Sequence, residues 1–256
     1  MGWMKKVVQC VLCSAILGVS NTYAQSDEKV IDPSKPTNVY TRINNNFEHT
    51  NLKDGTQLTG YRFNLSYAVS DFQTTLEIPL LYNHTTQKVG MGDLRLRTFY
   101  VPYTDYSKTL GGLGVSMDIF APMGNRIEGI SSGNWSISPG IIAGIMVSDS
   151  YSIWPILSYR YQFADPNLVE GRAQNIEKHG MTFQLMNSIN ISEKIYLLVT
   201  PMLIQNDFAT MQSFDYGGEV EFNYMLVKNK LQVGCFSRQL ANSEYSSYRL
   251  MLRFFL

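Results

Sequence analysis

The last nine residues, Tyr248-Arg249-Leu250-Met251-Leu252-Arg253-Phe254-Phe255-Leu256, alternate. Even positions are apolar or aromatic, and the odd positions include both arginines. A period of two is the signature of a strand whose faces meet different surroundings. The stripe runs to the final residue, where the terminus of a soluble domain usually frays. A strand with hydrocarbon on one side and a polar lumen on the other is ordered by both.

The same alternation recurs from about residue 38 to residue 256 and predicts about 12 strands, each long enough to cross an outer membrane at a tilt. Tyr61, Phe63, Leu65, Tyr67 and Val69 oppose Arg62, Asn64, Ser66 and Ala68. Leu94, Leu96, Thr98 and Tyr100 oppose Asp93, Arg95 and Arg97. The first strand, 38–49, puts Val39, Thr41, Ile43 and Phe47 on one face, and 195–205 is too uniformly apolar to assign its faces. Links after even strands are short, and most links after odd strands are longer, such as 124–133, 164–179, 206–213 and 241–245. Short turns on one side and long loops on the other are the outer-membrane arrangement. The fold expected is therefore all-β: a transmembrane, antiparallel, up-and-down β-barrel with both termini periplasmic. A soluble sandwich or lipocalin-like barrel also alternates, but buries its apolar face inward on shorter strands. The terminal stripe resembles the C-terminal strand signal of Gram-negative outer-membrane barrels, with Leu256 where Phe is usual. That resemblance implies an encounter with the barrel assembly machinery and a final setting among outer-membrane lipid and lipopolysaccharide.

The other end agrees. Lys5 and Lys6 precede an apolar run of about 13 residues (7–19), followed by small residues at Thr22 and Ala24. This predicts a signal peptide, 1–24, cleaved after Ala24. The run is too short for a membrane-spanning helix, and Gln9 and Leu12 are too large to precede a lipidated cysteine. Residues 25–37, polar and holding Pro33 and Pro36, read as a periplasmic leader, and 38–256 as the barrel. Two of the three cysteines fall in the signal peptide, so no internal disulfide and no cysteine-based metal site is expected. Net charge is zero over the whole chain, and without Lys5 and Lys6 there are 19 basic against 21 acidic residues, which gives no reason to expect nucleic acid as a partner. No mature segment reaches about 18 apolar residues, so the 45% hydrophobic content is spread over strands.

Three residue classes bear on function. His49, His84 and His179 lie at strand ends or in loops, on the side where some outer-membrane enzymes work. No Gly-x-Ser-x-Gly occurs and no metal-ligand spacing is present, so neither catalysis nor a cofactor is expected. The inward charges are Arg42, Arg62, Glu77, Asp93, Arg95, Arg97, Asp118, Arg160, Glu219, Glu221, Arg238, Arg249 and Arg253. Such charges either select solutes in a narrow pore or pair to fill and stiffen the barrel. Phe99, Phe120, Trp154, Ile156, Met186 and Phe236 also point inward, and a lumen part charged and part apolar suits amphipathic or aromatic solutes better than sugars. Pro79, Pro122, Pro139, Pro155 and Pro201 fall within predicted strands, where each should mark a bulge or a strand end. Such kinks either shape the barrel alone or open a lateral exit for hydrophobic solutes.

Gly90-Met91-Gly92-Asp93-Leu94-Arg95-Leu96-Arg97, followed by Ala121-Pro122-Met123-Gly124, Ser132-Gly133, Trp135 and Pro139-Gly140, resembles the outer-membrane transporter family named for the meta-pathway of phenol degradation. Met123 stands where that family has Thr. In physical terms the glycines permit a tight loop and Asp93 caps it. The resemblance implies a channel for small, aromatic or hydrophobic solutes and carries over no catalytic residues. The alternative is a plugged surface barrel acting as a lipid-modifying enzyme or a binding protein.

Overall fold

The computed structural model describes residues 31–164, 177–210 and 214–256. The signal peptide and residues 25–30 of the leader lie outside the described residues. Thirteen strands form among the described residues, with no helix. They are β1 (Arg42–Asn51), β2 (Gln57–Val69), β3 (Phe72–Asn83), β4 (Lys88–Met91), β5 (Leu94–Thr104), β6 (Leu110–Ala121), β7 (Asn134–Ser148), β8 (Tyr151–Ala164), β9 (Lys178–Ser192), β10 (Ile195–Gln205), β11 (Phe214–Val227), β12 (Leu231–Leu240) and β13 (Tyr245–Phe255). All pairings are antiparallel between neighbours, and β1 pairs with β13 over its whole length, from Arg42 opposite Phe255 to Asn51 opposite Ser246. Closure leaves no full-length edge; among the described strands only the short β4 has a single neighbour.

β4 and β5 both pair with β3, one above the other: Leu80–Asn83 take β4 and Phe72–Glu77 take β5. They are two halves of one barrel strand, so the barrel is 12-stranded. The break falls at Gly92 and Asp93, opposite Pro79, whose carbonyl accepts from the Gly92 amide at 2.9 Å. Proline supplies no N–H there, so the ladder changes partner at the residue that loses least.

The apolar face points outward. Leu250 is 67% exposed, Ile141 57% and Phe47 55%, while Ser66, Asn223, Gln232 and Ser247 on the opposite face are fully buried. This inverts the arrangement of a water-soluble barrel and fits a hydrocarbon surround. In β10 the buried Tyr196, Thr200 and Met202 face inward and the exposed Pro201 and Leu203 outward, which assigns the faces of 195–205.

Two expectations need correction. The first strand starts at Arg42, not at residue 38; Val39 and Tyr40, each 7% exposed, belong to a segment that turns into the barrel. The prolines do not all kink the wall. Pro79 marks the break in the fourth barrel strand and Pro122 follows the end of β6. Pro139, Pro155 and Pro201 lie within one unbroken register on both sides, with only a few adjacent pairings missing. One true bulge lies at Tyr100–Tyr103, around Pro102, and the remaining register shifts sit next to short turns.

Candidate channel lumen

The lumen is built from side chains at alternate positions of every strand, and it is narrowed at both ends. At the end where β1 begins and β13 finishes, residues 31–41 fold across the bore. Ile31 N–H donates to Asn229 in the β11–β12 turn at 3.0 Å. The Ser34 carbonyl accepts from Ser188 on β9 at 2.6 Å, and the Tyr40 carbonyl accepts from Gln73 on β3 at 2.8 Å. Tyr106 donates to Asn38 at 2.7 Å and hydrogen-bonds Thr37 at 3.0 Å. Thr37 lies against Gly112 of β6, where a Cβ would come within 2.8 Å of its hydroxyl. These contacts reach strands all around the barrel. Ser34 and Thr37 are each 2% exposed, and Tyr40 packs edge-on against Phe255 with centroids 5.7 Å apart. The polar composition of the leader suits this role, because its backbone and hydroxyl groups satisfy lumen side chains that would otherwise be unpaired.

At the opposite end, residues 122–133 fold inward. Ile130, 4% exposed, covers Gly90, where a Cβ would lie 3.0 Å from its methyl carbon. Gly124 approaches so closely that a Cβ would sit 2.1 Å from the Met91 carbonyl. Asp93 accepts from the Ser131 hydroxyl and, at 3.0 Å, from the Ser132 amide. Asn83 donates to the Glu128 carbonyl at 2.8 Å. The Gly-x-Gly-Asp stretch is thus the anchor of this loop. Asp93, expected among the lumen charges, is spent on the loop.

The other expected lumen residues, Arg42 and Arg160 apart, fall into three groups. Arg62 on β2 lies between Glu48 on β1, with contacts of 2.7 and 2.9 Å, and Glu77 on β3. Arg249 on β13 approaches Glu48 at 3.1 Å. Asp118 on β6 accepts from Arg95 (both contacts 3.0 Å) and from Arg97 (2.8 and 2.7 Å) on β5. On β11, Glu219 pairs with Arg238 and Glu221 with Arg253, the latter at 2.9 Å. Beneath that pair, Gln232 donates to Tyr196 at 2.8 Å and to Asn223. Arg160 stands apart on β8 and donates to Asn206. Glu48 is an addition to the expected residues, although it shares the face of Arg42 on the first strand; it is the most buried carboxylate of the network, with its side chain 2% exposed.

The ion pairs of the lumen lie on one arc of the wall: among the described residues, β1–β3, β5, β6 and β11–β13 carry all of them. The arc β7–β10 presents Ser136, Trp154, Ile156, Gln184, Met186, Ser188, Thr200 and Met202, with Arg160 its one arginine. The large aromatic residues predicted to face inward do so, but several are covered. Phe120 lies beneath Arg95 and Phe236 beneath Arg249, each guanidinium 5.0 Å from the ring centre. Trp154 is fully buried against Tyr106.

The histidines do not enter the lumen. His49 and His84 do approach one another, with ring centroids 6.3 Å apart, but on the outer face. Thr59 bridges them at 2.9 Å on each side, and the Asn51 carboxamide oxygen accepts from His49 at 3.2 Å. This chain puts an imidazole on a hydroxyl, yet Thr59 is paired to strands on both sides. The backbone amides around it belong to the ladder, leaving no free pair to hold an oxyanion. His179, near the start of β9, joins an outward aromatic group with Tyr159 and Tyr161. Trp135 and Phe163 stack nearby in sequence on the same outward face of β7 and β8. Such girdles sit where a barrel meets the membrane interface.

No family model matches the chain, and no curated protein matches it. Solved structures do. An outer-membrane channel from Pseudomonas putida F1 aligns over 91% of this chain and 99% of its own, with a TM-score of 0.61 at 14% identity. The NanC porin covers 83% and 100%, with a TM-score of 0.59 at 11% identity. The KdgM porin, solved in complex with disordered oligogalacturonate, covers 82% and 98%, with a TM-score of 0.54 at 13% identity. At these identities the likeness concerns architecture: this chain has the fold of the Gram-negative outer-membrane barrel channels.

Proposed function

We propose that this protein is a passive channel of the Gram-negative outer membrane for small organic solutes with an apolar or aromatic body. The observation that carries this reading is the divided lumen, with ion-paired arginines and carboxylates on one arc and a mostly uncharged, part-apolar surface on the other. A solute with one polar and one apolar side meets a complementary wall at each. A 12-stranded barrel encloses far less space than the 16–18-stranded porins, and the segments at its two ends narrow it further, which favours compact solutes over oligomers. The shared architecture with outer-membrane channels and the Gly-x-Gly-Asp resemblance support the same reading. So does the chain direction, with short turns and both termini at one end, assigned here to the periplasm.

The test is single-channel recording on residues 25–256 refolded into a planar bilayer. Steady current steps, reduced by small aromatic solutes but not by equally sized sugars, are expected. A fully folded barrel that conducts nothing and passes no aromatic solute into liposomes would refute the channel reading and favour a plugged surface barrel.

A further inference from the structure

We propose that the lumen binds the anionic group of its solute at Arg42, making the channel selective for small organic acids. Along the strands, eight inward guanidiniums (those of the three clusters, with Arg42 and Arg160) face five carboxylates: Glu48, Glu77, Asp118, Glu219 and Glu221. Lys88, Lys178 and Asp215 stand at the far strand ends and leave the surplus positive. The five carboxylates satisfy six arginines, because Asp118 and Glu48 each serve two. Arg97, which shares Asp118, keeps its side chain 48% exposed to the bore.

Arg42 differs from these six. No carboxylate lies within ion-pair distance of it among the described residues, and its Nε is buried without a hydrogen-bond partner. It opens β1 and faces inward, diagonal to Arg253 on β13, whose Nε is also unpartnered. The charged and titratable groups nearest to it are Arg253, Tyr196, Glu221 and Tyr40. Glu221 is already held by Arg253 at 2.9 Å and by Asn223 at 2.9 Å. Tyr196 accepts from Gln232 at 2.8 Å and from Arg253 at 3.5 Å. Two guanidiniums and a phenol therefore share the neighbourhood of one carboxylate that Arg253 already neutralises. In a barrel surrounded by lipid, an uncompensated cation is costly, and a solute carboxylate supplies the missing partner through charge-assisted hydrogen bonds. The site lies beside residues 31–41, next to the buried edge-on pair of Tyr40 and Phe255. It rests on the channel reading for its transport consequence, whereas binding at Arg42 stands without it.

The test pairs two measurements on wild type, Arg42→Gln and Arg42→Lys, each shown folded by heat-modifiable gel mobility. The first is the reversal potential in a potassium chloride gradient. The second is calorimetric titration of the folded barrel with benzoate, inorganic phosphate and anilinium. The expected result is chloride preference in wild type, reduced in Arg42→Gln and kept in Arg42→Lys. Benzoate binding should weaken about tenfold or more in Arg42→Gln, the loss of one charged hydrogen-bond partner, and anilinium should not bind. Phosphate binding as tight as benzoate would remove the organic-acid part of the proposal. A barrel that conducts with cation preference, or binds benzoate equally in wild type and Arg42→Gln, overturns it. A silent barrel that still binds benzoate through Arg42 keeps the site and discards the channel. A silent barrel that binds none discards both.

Discussion

Replacing Glu48 by Gln tests whether the lumen network carries stability. Glu48 is the most buried of the paired carboxylates and serves two strands, accepting from Arg62 at 2.7 and 2.9 Å and lying 3.1 Å from Arg249. Gln keeps one acceptor oxygen and loses the charge. Two hydrogen bonds to a charged group contribute about 1.5–3 kcal/mol each, and removing one partner of a buried pair costs about 3–5 kcal/mol. Two features lower that figure. Arg62 retains Glu77, and the Arg62 and Arg249 side chains keep 16% and 23% exposure to lumen water. The expected loss is therefore about 2–3 kcal/mol, below the fully buried limit. It is measured by urea unfolding of the refolded barrel, followed by the fluorescence of Trp135 and Trp154. Combining Glu48→Gln with Arg62→Gln should restore part of the loss, with a coupling between about 0.5 and 3 kcal/mol. A loss under about 0.5 kcal/mol, the range of an ordinary surface substitution, together with no coupling, would show that lumen water fully replaces the carboxylate. The network would then be a solvated lining and not a brace.

Other substitutions follow from particular contacts. Tyr106→Phe removes the hydroxyl that holds Thr37 and Asn38. It should loosen residues 31–41 by about 1–3 kcal/mol, at 0.5–1.5 per hydrogen bond, and raise single-channel conductance; unchanged conductance would mean that this segment does not limit flow. Gly144→Leu drives a side chain into Trp154, whose ring lies 2.3 Å from the Cβ position. An overpacking cost of about 1–3 kcal/mol should lower the thermal midpoint and shift the emission of Trp154, and a native melting curve would refute the packing described. Asp93→Asn weakens the hold on Ser131 and Ser132, so limited proteolysis between residues 122 and 133 should quicken, with barrel stability changed little. Equal cleavage rates would show that the loop is held by Ile130 and Asn83 alone.

Most of the barrel was legible from its sequence because each strand has two faces with opposite solvents. Alternation then fixes both the strand and its orientation, as at 61–69, where every residue faces as its chemistry predicts. Where the pattern was diluted, reading failed in an understandable way. Val39 and Thr41 continue the alternation of Ile43 and Phe47, so periodicity alone extended the first strand backward, although the chain leaves the sheet before Arg42. The interior segment at 31–38 has no periodicity, because it binds through backbone groups and hydroxyls whose partners lie up to 198 residues away. Such partners are invisible to local patterns. Glu48 is a different case: it shares the parity of Arg42, so the alternation of Ile43 and Phe47 already puts it on the lumen face, which the register of β1 against β13 bears out.

The prolines show how physical expectation and position interact. A proline costs a ladder hydrogen bond wherever it stands in a sheet, yet only Pro79, Pro122 and Pro102 coincide with a broken or shifted ladder. Pro139, Pro155 and Pro201 keep their registers because the strands beside them pair on the other side and hold the chain in place. Pro79 is different: β3 has a full partner in β2 there, but on its other side the strand is split, and the freed space admits Gly92 and the inward loop. Restoring an N–H with Pro79→Val therefore offers β3 a donor that the split strand does not use, and it should not close the gap, since Asp93 and Ile130 hold the loop independently. Aromatic-solute flux unchanged by Pro79→Val but altered by Asp93→Asn would place control of the entrance in the loop anchor. The reverse result would return it to the kinked wall and to lateral exit.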